Sequence, residues 1–589
     1  MKILHVLLLW LLGFNVLFAQ VIPSARRVDW QNTGYSYSIP NPTNIVNVKS
    51  FGAMGDGVTD DYTAVINAMN SFGGNRGVVL FPSGTYLIKN QIMMNNDSVI
   101  FRGISSDSTL LRFDFNGATK NGINVWGSFP DTVHIAITGG VTKGSNILNV
   151  ANPTHFTVGQ DVEIKQDNGT WDTNPAFWAN ESVGHLATVT GISGSQITLN
   201  EPLRMDFDIS LNPRMRKITM RKEVGIECMR IHKVDTCNIT SCVSNNIAFK
   251  NAKQCWIKGV ESSMSIGAHI SIERSTHISV QGSYIHHAFS YTGAGTRGYG
   301  VVLFKHSTAC RIENNIFEHL RHAMMVKEGS NGNVFGYNYS KDPFRSEVPN
   351  NASGDISIHG HYPFSNLFEG NIVQNIITDG YWGIGGPYNT FFRNRAELYG
   401  ILHDTSPIQE NQNYAGNEVT NTSLGMGLLF IPGTNIFSHG NNVKGVIMPT
   451  GTGTLTDTTY YLTAKPDFWN ISGSTWSIGI PNVLNSGTNP AKVRDNAGGS
   501  KTVCNPLLTY QDKVIFAENS ILNIYPNPTH DKVYFSDVVE NYILTDVSGK
   551  ILSQNTHINQ LDMQDLPDGT YFLSLISKNS YKTFIILKQ

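Results

Sequence analysis

Residues 298–340 read GYGVVLFKHSTACRIENNIFEHLRHAMMVKEGSNGNVFGYNYS, and residues 354–397 read GDISIHGHYPFSNLFEGNIVQNIITDGYWGIGGPYNTFFRNRAE. Short β-rich runs alternate with Asn and Gly corners. One phrase recurs: an apolar residue, a variable one, then Gly or Asn. Anchored on the apolar residue it falls at Ile257, Val280, Ile312, Phe335, Phe368, Phe392 and Ala415, and subtraction gives intervals of 23, 32, 23, 33, 24 and 23. A period in the low twenties predicts a β-solenoid, in which each coil buries one face and stacks on the next. The two long intervals equal one coil plus nine or ten residues, which predicts loops near Phe289–Arg297 and Lys341–Ser353. They flank the coil that carries Arg321 to Lys327, and a groove walled by loops is where a rigid scaffold places its function.

Coils stack at roughly 4.7–4.9 Å, so residues at equal positions form columns. Strand alternation sends Ile356 and Ile358 inward and leaves Asp355, Ser357, His359 and His361 outward. In the preceding coil His322, Met324 and Val326 take the inward phase, and Arg321, Met325 and Lys327 face out. Glu273, Lys305 and Glu328 each stand seven residues before an anchor, and Lys327 stands eight before Phe335. One outer face is therefore expected to gather Glu273, Lys305, Arg321, Lys327, Asp355, His359 and His361.

The 589-residue chain has a formal charge of −2, without the basic signature of nucleic-acid binding. Abundant Gly (55 residues) and low charge (15%) suit an all-β protein with many turns. Met1–Ala19, with Lys2 ahead of an apolar run, reads as a secretory signal too short for a membrane anchor, and the mature chain is expected to be exported, monomeric and free of integral membrane segments. The six cysteines lack zinc-site spacing. Cys255 and Cys310 share a coil position two coils apart, about 9–10 Å, too far for a disulfide, so both are expected as buried thiols. A Cys237–Cys242 bridge is left open.

Residues 45–90 read IVNVKSFGAMGDGVTDDYTAVINAMNSFGGNRGVVLFPSGTYLIKN. A strand enters a Gly-rich turn, Asp60 caps a short helix from about Asp61 to Ser71, and two strands follow. This segment resembles the opening of the pectate-lyase-like superfamily, the FGAxGDGxxDDxxAxxxA phrase followed by VxFPxGxY. The resemblance implies a right-handed parallel β-helix whose N-terminal edge this helix covers. It says little of chemistry, because lyases, hydrolases, epimerases and phage spikes share the scaffold. Asp56, Asp60 and Asp61 read as turn and cap residues. The N-terminal cap and first coils are assigned to 20–132 and the main coils to 208–425.

Between them, residues 133–207 change to alternating strands with Gly and Asn turns, a small antiparallel β insertion. Its Trp171, Phe177 and Trp178 can pack their own loop or stack on sugar rings. Residues 426–515 resemble a segment that comes after the helix in bacterial relatives and are expected to pack on its C-terminal end. The tail, 516–589, holds LNIYPNPTHDKVYF, ILTDVSGKIL and LDMQDLPDGTYFLSLIS and resembles the β-sandwich-like sorting domain of the type IX secretion system. That resemblance implies carriage by the secretion machinery across the outer membrane.

The outer face suits β-elimination on a uronate polysaccharide, which needs a cation for the carboxylate, a base for the adjacent proton and an acid for the leaving oxygen. Arg321 is assigned the carboxylate, Lys327 or His359 the base, His361 or Lys305 the acid, and Asp355 the orientation of a histidine or a metal. Glu273, Glu328, Tyr381, Trp382 and Arg393 complete a substrate-binding set, with Glu369 and Arg393 also read as a structural ion pair. Hydrolysis by paired carboxylates such as Glu328 and Asp355 is the alternative. The coils lack the DD and RIK blocks of the polygalacturonase-type hydrolases, and IHGH differs from their GHG. Few carboxylates cluster, so no cofactor is expected, with Ca2+ the alternative. A non-catalytic glycan-binding surface protein is the remaining reading.

Overall fold

A ladder of buried asparagines sets the repeat. In the computed structural model, Asn315 donates through Nδ2 to Asn338 Oδ1 at 3.0 Å, Asn338 to Asn371 at 2.9 Å, Asn371 to Asn394 at 2.9 Å, Asn394 to Asn417 at 3.1 Å and Asn417 to Asn441 at 2.9 Å. Each amide also serves backbone: Asn371 Nδ2 reaches the Phe335 carbonyl at 2.8 Å, and its Oδ1 accepts the Asn338 N–H at 3.0 Å. A buried amide needs its donors and acceptor satisfied, and here the coil on either side supplies the partners.

The structure describes residues 20–234, 242, 244–291, 295–344, 354–471, 476, 487–504, 524–546, 550–577 and 580–589. Met1–Cys504 and Asn505–Gln589 form separate compact units. In the first, a 13-stranded parallel sheet makes one face of the helix, and a 21-stranded sheet makes the others. Three residues before each ladder asparagine from 315 to 417 stands a core residue: Ile312, Phe335, Phe368, Phe391 and Tyr414. The rings Phe335–Phe368, Phe368–Phe391 and Phe391–Tyr414 stack at 5.1, 5.1 and 4.7 Å.

The last two anchors therefore lie one residue earlier than the predicted Phe392 and Ala415, since Phe368 pairs with Phe391 and Phe391 with Tyr414. The asparagine three residues on fixes the register, whatever occupies the corner. Phe392 and Ala415 point the other way, into a second apolar cluster with Trp30, Leu455 and Tyr460.

The helix Tyr62–Asn70 covers the first coils with Ala64, Val65, Ala68 and Met69. Asp56 and Asp61 bind turn amides (Val58 and Thr59; Met54 and Gly55), and Asp60 accepts from the Tyr62 N–H, though the N-cap position is Asp61 rather than the expected Asp60. The insertion is a closed six-stranded barrel. It runs past the predicted boundary at 207, because Arg214–Lys217 pairs with both Asp161–Lys165 and Ile135–Gly139 and closes it.

Coils continue beyond 425 to Asn441–Val443. The described residues after them pair Val446–Met448 on the last coil strand and then strap back along the flank, packing Tyr460, Tyr461 and Trp469 on Val334, Tyr337 and Leu367, and Ala491 on Ile316, Tyr339 and Ile372. The strap reaches Cys504, which forms a disulfide with Cys228. Cys255 and Cys310 are buried free thiols, and burial pushes the pKa of each up to about 12. Cys237 and the signal segment lie outside the described residues. The tail folds as five antiparallel strands around Val533, Leu544, Leu573 and Ile586.

Asn371→Ala leaves the Phe335 carbonyl and the Asn338 N–H without their partners. It is expected to destabilise the β-helix by about 2–4 kcal/mol, read as a drop in its Tm. Glu369, wholly buried under the strap, accepts from Tyr337 Oη (3.1 Å) and Tyr460 N (2.8 Å), yet burial outweighs these bonds and pushes its carboxyl up to about 7. The folded state then holds a proton that the unfolded state releases between about pH 4.5 and 7. Stability from this group is full below that window and is lost as pH rises through it, by an amount on the order of 2–3 kcal/mol. Thermal melts of Glu369→Gln from pH 5 to 8 should show a smaller fall in Tm than those of the parent chain.

Candidate functional site

A charged column crosses the coils on the outer face beside the barrel. Lys250 pairs in register with Glu273, and Glu273 with Phe304. The pairings Leu303–Val326 and Val326–Ile358 place Lys327 between Phe304 and His359. His359 is in register with Asp379, and the pairing of Thr378 with His403 sets Asp404 beside Asp379. Neighbours in such a column stand about 4.8 Å apart.

His359, 19% exposed, pairs through Nδ1 with Asp379 Oδ2, while Asp379 is 1% exposed. The other oxygen, Asp379 Oδ1, is buried without a hydrogen-bond partner among the described residues. A carboxylate on Nδ1 fixes the tautomer and leaves Nε2 free to take a proton. Asp404 accepts from the Gly380 N–H at 2.8 Å, and burial together with the Asp379 charge raises its pKa.

His322 contradicts the alternation that assigned it inward. Its ring lies 4.9 Å from that of Tyr299 and 5.8 Å from that of His359. The phase breaks because Ala323 and Met324 both enter the core, which turns His322 away from it to a buried position where Nδ1 lies 3.2 Å from the Gly354 carbonyl. Tyr299, His322, His359 and Asp379 thus form one string across successive coils. The Tyr299 hydroxyl makes no hydrogen bond among the described residues, and burial raises its pKa. The guanidinium of Arg321, half-buried beside Tyr299, has no hydrogen bond or ion pair among the described residues.

Other assigned residues occupy different roles. Lys327 Nζ sits 2.9 Å from Glu328 Oε1 and over the rings of Trp178 (5.5 Å) and Phe304 (5.1 Å). Burial alone would lower its pKa, but Glu328, Tyr299 and Glu273 hold it above the ordinary value, which favours the ammonium form. Lys305 approaches Glu273 at 3.6 Å, and Lys250 approaches the same carboxylate at 3.2 Å.

Asp355 is buried and bonded within the coils. It accepts from Ser340 Oγ (2.6 Å) and from the amides of Gln374 (3.0 Å) and Asn375 (2.8 Å), closing a corner between coils. Arg393 is buried under the strap and donates to the carbonyls of Asp457 (2.9 Å) and Leu455 (3.1 Å), so it cannot meet substrate.

His361 is wholly buried where an exposed position was expected. The barrel loop covers it: Trp178 meets its ring edge-on at 4.8 Å and Trp382 stacks at 5.9 Å. Neither ring nitrogen has a hydrogen-bond partner among the described residues, Asp172 Oδ1 lies 3.9 Å from Nδ1, and burial lowers the histidine pKa. Tyr381, by contrast, is 71% exposed, and Phe177 on the barrel loop is 88% exposed. Of the two predicted flanking loops, residues 292–294 and 345–353 lie outside the described residues. The wall that the structure does describe is the barrel.

Sequence reasoning missed Tyr299, His322, Asp379 and Asp404. The interval hid Asp379: Ile316 to Met324 spans eight residues around the corner, whereas the equivalent Ile372 to Ile376 spans four. The strand Ile372–Asp379 runs straight through that corner, so Asp379 falls out of the 23-residue period.

Residues 45–167 match the family model described as rhamnogalacturonase A/epimerase, pectate lyase-like, and residues 523–588 match the secretion system C-terminal sorting domain. The chain is 23% identical over 274 residues to the capsule K1-specific depolymerase of Klebsiella phage K64-1, covering 45% of this chain and 29% of that protein. It is 28% identical over 149 residues to plasmin and fibronectin-binding protein A of Streptococcus pneumoniae, covering 21% and 20%. The chain thus spans less than a third of either relative's length. Among solved structures, the tailspike gp61 of Pseudomonas phage phi297 aligns with a TM-score of 0.49 at 15% identity, over 68% of this chain and 70% of that one. The chain therefore carries a pectate-lyase-like domain in a parallel β-helix, together with a type IX secretion sorting domain that directs it to the cell surface or beyond.

Proposed function

We propose that the chain depolymerises an acidic polysaccharide by β-elimination at the string Tyr299–His322–His359–Asp379. The observation that carries this reading is Arg321, a half-buried guanidinium with no ion-pair partner among the described residues, set beside the unbonded Tyr299 phenol on the string that ends in the His359–Asp379 pair. A uronate needs these three groups. Arg321 pairs with the sugar carboxylate and makes the adjacent carbon more acidic. His359, oriented by Asp379, takes the proton from that carbon through Nε2. The electron pair forms the new carbon–carbon double bond, the glycosidic carbon–oxygen bond breaks, and the Tyr299 hydroxyl gives its proton to the leaving oxygen. The base and acid exchange their protons with solvent before the next turnover. Lys327 and Lys305 supply positive potential along the column, and no metal is required.

A second reading rests on Asp379 and Asp404. Two carboxyl groups on adjacent coils, one with a raised pKa, suit glycoside hydrolysis at the shorter of the two usual carboxyl separations. The name of the phage relative, a capsule depolymerase, is compatible with either chemistry.

Incubation with a panel of uronate polysaccharides should raise the ultraviolet absorbance of the conjugated product, with and without EDTA. New reducing ends without that absorbance would transfer the assignment to Asp379 and Asp404. Silence in both assays, with glycan binding retained, would make the chain a binding protein. Arg321→Ala should raise KM for uronate polymers, and His359→Ala and Tyr299→Phe should each lower kcat by about 10²–10⁴-fold. Because burial holds the Tyr299 proton above the ordinary phenol value, the active acid form should persist on the alkaline side, and kcat should not fall before about pH 10.

A further inference from the structure

The barrel reaches the column through its loop 167–182. Trp178 from that loop meets Trp382 edge-on at 5.3 Å and lies under the Lys327 ammonium, and both tryptophans close over His361. The side-chain amide of Asn174 donates to the Tyr381 carbonyl at 2.7 Å, and Trp171 stacks on Tyr362 at 4.3 Å. The loop is thereby fastened to the coil turn that comes after Asp379. Trp171 and Trp178 serve as packing residues, which accounts for two of the aromatics singled out in the insertion.

The fastened loop leaves two aromatic rings outside. Phe177 precedes Trp178 and is 88% exposed; Tyr381 precedes Trp382 and is 71% exposed. Each is anchored by the packed tryptophan beside it, and the Tyr381 ring also meets Trp382 edge-on at 4.8 Å. Tyr381 stands two residues after Asp379, continuous with the reacting groups. A ring held rigidly in water beside a charged cleft suits the apolar face of a pyranose, which covers it without desolvating a charge.

We infer that Phe177 and Tyr381 form a sugar-stacking subsite beyond the bond that is cleaved, and that the barrel insertion is there to hold it. The occupant is a further pyranose residue of the same polymer chain. The inference rests on the reading of the column as a glycan site, but not on whether that site eliminates, hydrolyses or only binds.

The test uses the full chain with His359→Ala, to abolish turnover, in affinity electrophoresis through gels containing each polysaccharide of the uronate and neutral panel. Phe177→Ala and Tyr381→Ala should each weaken retention about three- to tenfold, together more, and Tyr381→Phe should restore it. In the active chain the same alanine variants should raise KM on polymer by more than they lower kcat. Circular dichroism and Tm must be unaltered, as expected for exposed positions. Retention lost on alanine substitution with no cleavage of any substrate would support the subsite and overturn the elimination reading. Cleavage with retention and KM within twofold in both alanine variants would overturn the subsite and keep the reaction. Failure of the chain to be retained by any polysaccharide would overturn both.

Discussion

Everything in the first unit depends on a buried amide meeting an identical amide one coil away. An Asn side chain inside the wall of a solenoid must find acceptors for its two donors and a donor for its oxygen, or cost the desolvation of each. The asparagines from 315 to 441 meet that demand by pairing with one another and with strand carbonyls. A slip of one coil residue would orphan several groups at once, so coil register is held tightly even where inserted corners vary in length. The stacked rings from Phe335 to Tyr414 add apolar burial to the same column order.

Fixed register is what makes a site possible on such a scaffold. The outer face presents its reacting groups in columns. Once Lys327, His359, Asp379 and Asp404 share a column, their separation comes from strand pairing and needs no further device. The column also explains the spread of environments. Lys327 has a carboxylate and two rings around it and keeps its charge, whereas Arg321 at the start of its strand has no counter-charge among the described residues. That difference sets Lys327 apart from Arg321, the cation proposed above to meet a substrate carboxylate.

The barrel and the strap change which surfaces are free. The barrel buries His361 and brings Phe177 to the mouth of the column. The strap hides Glu369 and Arg393 on the opposite flank, and its disulfide ties residue 504 back to residue 228. His361 and Arg393, both assigned to the site from outer-face columns, are therefore interior because of chain segments far from them in sequence.

The parallel β-helix, its capping helix, the presence of an insertion and the sorting tail are all legible in the amino-acid order. They rest on local period, turn residues and contiguous motifs, which survive without knowledge of distant contacts. Arg321 and His359 could be placed on the outer face in the same way, since strand alternation is local. Three-dimensional packing was needed to show that His322 turns away from the core, that Asp379 is the partner of His359, that Asp355 closes a corner, and that His361 and Arg393 are covered. The reason is physical: a break in strand alternation, a corner shortened by four residues and a loop from an inserted barrel leave no periodic trace, yet each moves a side chain from one environment to another.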